Sequence, residues 1–384
     1  MWERAGEWGC ARRRGAGKSG RDNMGGEAKK GGRRFPPLRI RKTEAAAGRP
    51  EKGTGMEKKK DLRIGIMGTG KISMRFAEAA AATDGVCVTA LFSRDAVRGE
   101  EFATRIGGHL RVFTDEEAFY AGPVDAVYIA TPNLLHAPAA TRAIVHGLHV
   151  LVEKPAALDR QLFDRMCEAA DRAGVVLMEA MRPLHDPLLA RLRQLLPAVG
   201  RVRSVVMEYC QYSSRYDAFR RGEVLNAFCP ALGNAAVMDI GVYCAAVLCA
   251  LFGEPKQIRA ASVFLRNGFE GAGQALLSYP GFTAALHYSK ITESVTPSVI
   301  LGEEGAVTVD RLNAPTVVRL LSRTGEERQV FRATEVWNNM VYEIRDFRDL
   351  IAAGKVRHPF RILTRRTLAV LDAIRAEAGI RFRP

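Results

Sequence analysis

The sequence predicts a mixed α/β protein in two halves: a parallel sheet with helices on both faces, then an α+β half built on a large, predominantly antiparallel open sheet. Three observations predict it. From Leu62 to about residue 180, short apolar runs alternate with stretches of helical period. Between Val202 and Ser322 apolar runs of strand length dominate. The first 60 residues carry neither period.

Those 60 residues hold 18 Lys+Arg against 7 Asp+Glu, whereas the remaining 324 hold 39 against 35. The net charge of +15 over 384 residues therefore belongs mostly to a Gly-, Arg- and Lys-rich leader, which its composition predicts to be disordered. Such a leader can hold phosphates nonspecifically or be dispensable, and nucleic-acid binding is not expected of the rest. It is poor in Ser and carries acidic residues, unlike an import peptide, and Met56 offers an alternative start just before the first strand. No run of eighteen apolar residues predicts a membrane span, and seven scattered cysteines without a C-x-x-C motif suit a reducing, cytoplasmic compartment.

Strands are predicted at Leu62 to Met67, Val86 to Phe92, Val124 to Ile129, Val150 to Val152 and Val175 to Met178. Helices are predicted at Lys71 to Ala82, Ala96 to Ile106, Leu134 to His146 and Asp159 to Ala173. The first strand runs into "GTGKIS", a G-x-G-x-x-small turn. Gly68 permits the tight turn, Gly70 admits a pyrophosphate to the backbone, and Ser73 lets the helix pack on the strand. A lone motif of this kind can be a ligand-free turn. Between a strand and a helix, in a repeated βα pattern, it predicts a Rossmann dinucleotide-binding domain with Gly68, Thr69, Gly70, Lys71 and Ile72 at the cofactor. The second strand ends in Ser93 and Arg94 rather than in a carboxylate, and with Arg98 this set favours the 2′-phosphate of NADP(H) over NAD(H), which the fold also accommodates.

Three more motifs fall at strand ends, where open α/β sheets bind ligands: "ATPNLLH", "EKP" and "MEAMRPLH". With "GTGKIS" and "SRD" before them, this order over residues 62 to 380 resembles the glucose-fructose oxidoreductase, inositol dehydrogenase and MocA family. The resemblance implies cofactor contacts at Thr131, Pro132, Asn133, His136 and Glu153, and makes Lys154 the lysine that touches both nicotinamide and substrate. It implies a Lys154–Pro155 bond that is cis, as in many relatives. Much later the chain reads "NAAVMDIGVYC", Asn234 to Cys244, placing Asp239 and Tyr243 four residues apart, on one face if helical. Tyr243, where many members carry histidine, resembles the dimeric dihydrodiol and xylose dehydrogenase branch. A phenol there can exchange a proton with a carbonyl oxygen, or the tyrosine can simply pack in a buried helix. The family's two or three glycines before this aspartate are reduced to Gly233, followed by Asn234, Ala235 and Ala236. Arg182, His185 and Asp239 are candidate substrate-binding residues, the first two with an equally structural alternative. His146 and His149 flank Gly147 without a completing carboxylate or thiol, so no metal is expected.

In the second half strands are predicted at Val202 to Tyr212, Gln257 to Leu265, Gln274 to Ser278, Thr283 to Tyr288, Ser298 to Leu301, Ala306 to Val309 and Val317 to Ser322, with a hairpin at Pro280 and Gly281. Helices at Thr334 to Ala353 and Leu363 to Ala378 close the chain. The resemblance implies that the sheet pairs with a second copy in a homodimer, and that the last helix returns to the nucleotide domain. The expected domains are thus 1–60 (leader), 61–180 (NADP-binding), 181–361 (substrate-binding and dimerisation) and 362–384 (returning helix). The function they predict is NADP-dependent hydride transfer to or from a sugar, polyol, or vicinal diol or carbonyl compound, with Lys154, Tyr243 and Asp239 catalytic. A non-catalytic NADP(H)-binding regulator of the same fold is the alternative, and it has no need of those three residues together.

Overall fold

The computed structural model describes residues 61–107, 110–332 and 338–382; the basic leader and the Met56 start lie outside them. The chain begins with β1 (Leu62–Met67), α1 (Lys71–Ala81), β2 (Val86–Phe92), α2 (Ala96–Arg105), β3 (Arg111–Phe113), α3 (Glu116–Tyr120), β4 (Ala126–Ile129), α4 (Asn133–Val145), β5 (His149–Glu153), α5 (Arg160–Ala173) and β6 (Leu177–Ala180). Its six strands lie in the order β3-β2-β1-β4-β5-β6, all parallel, so the chain reverses direction across the sheet beside β1 and β4. That reversal opens a crevice at the strand ends carrying the glycine turn and the TPN segment. Ile64, Ile66, Tyr128 and Leu151 are fully buried in this sheet's core, and Phe76 of α1 stacks on Tyr128 at 3.7 Å between ring centroids.

Two short elements escape the sequence pattern. β3 has three residues, of which only Phe113 is buried, and α3 is a five-residue turn capped by Asp115. β6 starts at Leu177 rather than Val175, because Gly174 ends α5 in the left-handed region (φ +68°) and Val175 still donates to Ala170 in the helix's closing turn.

The second half continues with α6 (Arg182–His185), α7 (Pro187–Leu195), β7 (Val202–Cys210), α8 (Tyr216–Arg220), a π-helical turn (Val237–Gly241), α9 (Val242–Phe252), β8 (Gln257–Phe264), β9 (Glu270–Tyr279), β10 (Phe282–Ser289), β11 (Ser298–Gly302), β12 (Gly305–Val309), β13 (Val317–Ser322), β14 (Glu327–Arg332), α10 (Met340–Ala352) and α11 (Pro359–Ala378). The eight strands follow the order β14-β13-β12-β11-β7-β10-β9-β8 and pair antiparallel except β7 with β10. The hairpin at Pro280 and Gly281 joins β9 to β10. β9 is four residues longer at its start than the sequence suggests. Gly271 and Gly273 hide its alternation, and the Tyr288 hydroxyl occupies the space a side chain at 273 would need. β14 was hidden by its polar composition, and the helix predicted from Thr334 begins at Met340, residues 333–337 lying outside the described set.

Two further boundaries differ from expectation. α10 falls in the stretch assigned to the substrate domain, yet Met340, Val341, Ile344 and Phe347 complete the core of the parallel sheet. An amphipathic stripe shows that a helix needs an apolar partner, not which of two sheets supplies it. α11 begins at Pro359, whose fixed φ suits a first helical position, and it packs on α5 and β6 as well as on α9 and β8. Residues Pro230–Phe252, spanning the π turn and α9, have the length and apolarity of a membrane span, but 78% of that window is buried inside the fold, as in a core helix.

Candidate active site

At the cofactor end of the crevice, Gly68 holds φ +117°, and a Cβ there would stand 2.6 Å from the Ala130 carbonyl oxygen. Only glycine fits a turn this close to the neighbouring strand. Gly70 caps α1 without a side chain on the free amides, and a Cβ at this position would meet no protein atom within 4 Å. The helix's positive end is therefore open to an anion, while Ser73 is fully buried against the sheet. These features fit a dinucleotide pyrophosphate, with Thr69, Lys71 and Ile72 lining the same turn.

The end of β2 is built differently from a simple row of contacts. Ser93 is buried and its hydroxyl donates to the Asp95 carbonyl at 2.7 Å, so it shapes the turn into α2. Asp95 caps α2 by accepting from the Arg98 amide, and its carboxylate lies 3.5 Å from the Arg98 side chain. Arg94 and Arg98 are exposed, the two guanidinium groups this corner offers to a phosphate.

In the TPN segment, Thr131, Pro132 and Asn133 are half-buried, and Asn133 Nδ2 donates to the Gly233 carbonyl at 3.2 Å, bridging the two halves. His136 has another place than the cofactor contact the resemblance implies. It is 1% exposed, with Nδ1 2.8 Å from the Pro155 carbonyl and Nε2 2.8 Å from the Thr131 carbonyl. The ring staples the TPN and EKP segments together, and burial outweighs these acceptors to lower its pKa.

β5 delivers Glu153 and Lys154 to the sheet edge, and the Lys154–Pro155 bond is cis. Glu153 faces inward, accepting from the Tyr128 hydroxyl at 2.6 Å. The next free amide, Ala156, donates at 2.8 Å to Glu179, whose other oxygen accepts from Thr364 of α11. Burial pushes the Glu179 carboxyl up to about 7 despite these donors.

Lys154 then meets the second half. Its ammonium lies 2.5 Å from Asp239 Oδ1 and 2.8 Å from the Asp239 carbonyl, and 5.0 Å from the centre of the Tyr243 ring. Burial works against the lysine's charge, but Asp239, Tyr243 and Glu153 outweigh it, and the pKa rises. Asp239 is likewise penalised by burial, yet two lysines, Lys154 and Lys290, hold it well below the usual carboxylate range. The expected i, i+4 geometry on a regular helix is not what positions this pair. Asp239 sits in the π turn and Tyr243 in the first turn of α9, where an extra residue per turn re-aims the side chains. Gly241 lets that turn lie against the Tyr288 ring, 3.0 Å from where a Cβ would be, and Glu270 accepts from the Val237 amide at 2.9 Å.

Arg182, read from the sequence as a substrate contact, is buried and donates to the Tyr243 hydroxyl at 3.2 Å. A guanidinium can only donate, so it occupies a lone pair of the phenol and leaves the phenolic hydrogen to point elsewhere. His185 is drawn away into a helix junction, 2.7 Å from Asp346 and tilted against the Phe360 ring at 4.2 Å between centroids. Sequence reasoning missed Glu179, Glu270 and Lys290. Glu179 stood inside a motif but reads as a strand residue, and Lys290 carries no signal beyond following a strand.

The fold and these side chains can be set beside known proteins. A family model described as the oxidoreductase family with an NAD-binding Rossmann fold matches residues 62–181, and the GFO/IDH/MocA C-terminal domain matches residues 190–308. The chain is 40% identical over 322 residues to scyllo-inositol 2-dehydrogenase (NADP(+)) IolU of Bacillus subtilis, covering 83% of this chain and 98% of that one. It is 26% identical over 336 residues to trans-1,2-dihydrobenzene-1,2-diol dehydrogenase of Mus musculus, covering 84% and 98%. A crystal structure of a 3-ketoreductase from Actinomadura kijaniata with NADP and TDP-benzene superposes with a TM-score of 0.75 at 26% identity, covering 83% of this chain and 98% of that one.

Proposed function

The chain belongs to the GFO/IDH/MocA oxidoreductase family, and from that premise we propose that it is an NADP(H)-dependent oxidoreductase of a sugar, polyol or vicinal diol, working through Lys154, Tyr243 and Asp239. The observation that carries the reading is the convergence on Lys154: Asp239 at 2.5 Å and the Tyr243 ring at 5.0 Å, reached from a strand end and a turn 85 residues apart in sequence. A regulator that only binds NADP(H) has no use for this arrangement. Scyllo-inositol and a dihydrobenzene diol, named for two relatives, both carry adjacent hydroxyls, which supports the substrate class.

Gly68, Thr69, Gly70 and the α1 amides would hold the pyrophosphate, Arg94 and Arg98 the 2′-phosphate, and Thr131 to Asn133 the nicotinamide side. When bound, NADP(H) supplies or accepts the hydride. Lys154 has three N–H groups, of which Asp239 takes two, leaving one for the substrate oxygen whose negative charge develops during reduction. Tyr243 exchanges the proton, its hydrogen turned toward the crevice because Arg182 already occupies its oxygen. Asp239 also accepts from a neighbouring substrate hydroxyl, since each carboxylate oxygen has more than one acceptor direction. Steady-state assays with NADPH and NADP+ across inositols, aldoses, diols and dicarbonyls test the reading. A full panel without turnover, with NADPH still bound, would instead favour the regulator.

The second sheet supports a homodimer. One face packs on α9 and α11, while across the other runs a row of paired residues, Leu276, Ala285, Val206, Val299 and Thr308, ended by Arg259 and Arg319. Leu276, beside Arg259 near one end of this uncovered stripe, is 53% exposed. Light scattering of the wild type and of Leu276→Asp tests it: a dimer is expected for the first and a monomer for the second. A cytoplasmic location, supported by six free cysteines among the described residues, is tested by imaging a tagged chain.

A further inference from the structure

Lys290, the first residue after β10, has no part in the reaction as set out so far. It is 4% exposed, and an ammonium so buried must find acceptors. Its Nζ lies 2.8 Å from Asp239 Oδ2 and donates to the Ala227 carbonyl at 3.0 Å, while the rings of Phe228 and Phe269 stand 5.1 and 5.4 Å away at their centres. Carboxylate, carbonyl and two aromatic faces account for the whole charged head, so Lys290 has nothing left for a substrate. Whatever it does is done through Asp239 or through the segment of Ala227 and Phe228.

We propose that Lys290 is a positioning residue for the reaction, acting through Asp239; this rests on the catalytic reading given above. By holding Oδ2, it fixes the plane of the carboxylate and leaves Oδ1, with the Asp239 carbonyl, to hold Lys154. Two of the three Lys154 N–H directions are then set, and the third is aimed into the crevice. Without Lys290, both carboxylate oxygens are free to compete for Lys154 and draw it away from the substrate oxygen. The charge count points the same way. Two lysines around one aspartate leave the cluster at +1, which favours a developing alkoxide, whereas Lys154 and Asp239 alone sum to zero.

The test is a double-mutant cycle on full-length protein with Lys290→Met, Asp239→Asn and the pair combined, reading kcat, KM and NADPH affinity. Lys290→Met should lower kcat about 10- to 100-fold with NADPH affinity unchanged. In the Asp239→Asn background the same change should add less than about threefold, because the residue it acts through is already altered. Lys290→Gln, which keeps a donor for Ala227 but no charge for Asp239, should lose turnover as Lys290→Met does, and it stands in if the methionine variant does not fold. Wild-type turnover in the glutamine variant, or a loss that multiplies fully with Asp239→Asn, would make Lys290 an anchor of the 227–228 segment and overturn the proposal. Wild-type turnover in Asp239→Asn itself is a separate failure: it removes the catalytic reading on which this one stands.

Discussion

Lys154 and Asp239 touch at 2.5 Å but arrive there by opposite routes. Lys154 follows the end of a regular parallel strand buried from Val150 to Glu153. Asp239 is carried by a π-helical turn whose shape depends on Glu270, Tyr288 and Lys290, all supplied from β9, β10 and the residue after it. A strand end is specified by its own few residues, while an irregular turn needs distant partners to hold it. Both routes nevertheless share a device: a buried glutamate accepts a backbone N–H next to the functional residue, Glu179 from Ala156 and Glu270 from Val237.

The largest effects are expected where the two routes meet. Lys154→Ala removes the donor to the substrate oxygen and Tyr243→Phe removes the proton, and each should lower kcat by roughly 10²- to 10⁴-fold while NADPH still binds. Stopped-flow hydride transfer and NADPH fluorescence titration separate the two readouts. Near-wild-type rates in both variants would leave the meeting point without a catalytic role.

The shared glutamates give a comparison in pH. Burial, against the donors each accepts, pushes both carboxyls from the ordinary 4.5 up to about 7. A folded value above the unfolded one means that the bound proton stabilises the native state fully below pH 4.5. That contribution is lost as pH rises through about 7. Each glutamate should account for up to roughly 3 kcal/mol of this slope. Urea unfolding across this range should therefore flatten in Glu179→Gln and again in Glu270→Gln. If only one variant flattens the profile, the strand end and the turn are not anchored by the same device after all.

The contrast also explains what could be read in advance. "GTGKIS", "SRD" and "EKP" are local arrangements in which each residue's job depends on its neighbours, so Gly68, Arg94 and Lys154 are legible from the chain alone. The antiparallel sheet was legible from its strand spacing, but the glycine-bearing start of β9 was not, because Tyr288 fills the place of a side chain at Gly273, and Ile291 and Leu265 crowd the one at Gly271. Lys290 and Glu270 become part of the site only through β-sheet register, which brings β9 and β10 beside the π turn, and a pattern within one segment carries no such information. His136 shows the reverse case. Its motif was recognised, yet its burial between two carbonyls makes it a staple.

On the strand side, the next effect concerns the cofactor. Arg94 is exposed at the end of β2, and Arg94→Asp replaces a guanidinium by a like charge to the 2′-phosphate. The preference for NADPH over NADH should fall by roughly 10- to 100-fold in kcat/KM, mainly through KM. An unchanged ratio would assign the discrimination to Arg98 or to the backbone turn that Ser93 shapes.

The smallest expected effect lies on the turn side, at the one glycine kept before Asp239. Gly233 holds φ +75°, and its carbonyl accepts from Asn133 Nδ2, a hydrogen bond that ties this loop to the TPN segment. A Cβ there would come within 2.4 Å of Leu158 Cδ2, just beyond the EKP segment. Gly233→Ala should therefore cost about 1–2 kcal/mol from the left-handed backbone, with Leu158 shifting to admit the methyl. Because the same residue joins both routes to the site, KM should rise together with the loss in stability. Leu158→Ala in the same chain should relieve the contact but not the backbone strain. If the double variant recovers full stability, the clash rather than the left-handed conformation is what requires glycine here. The neighbouring Ala236, at φ −62°, is free of that requirement.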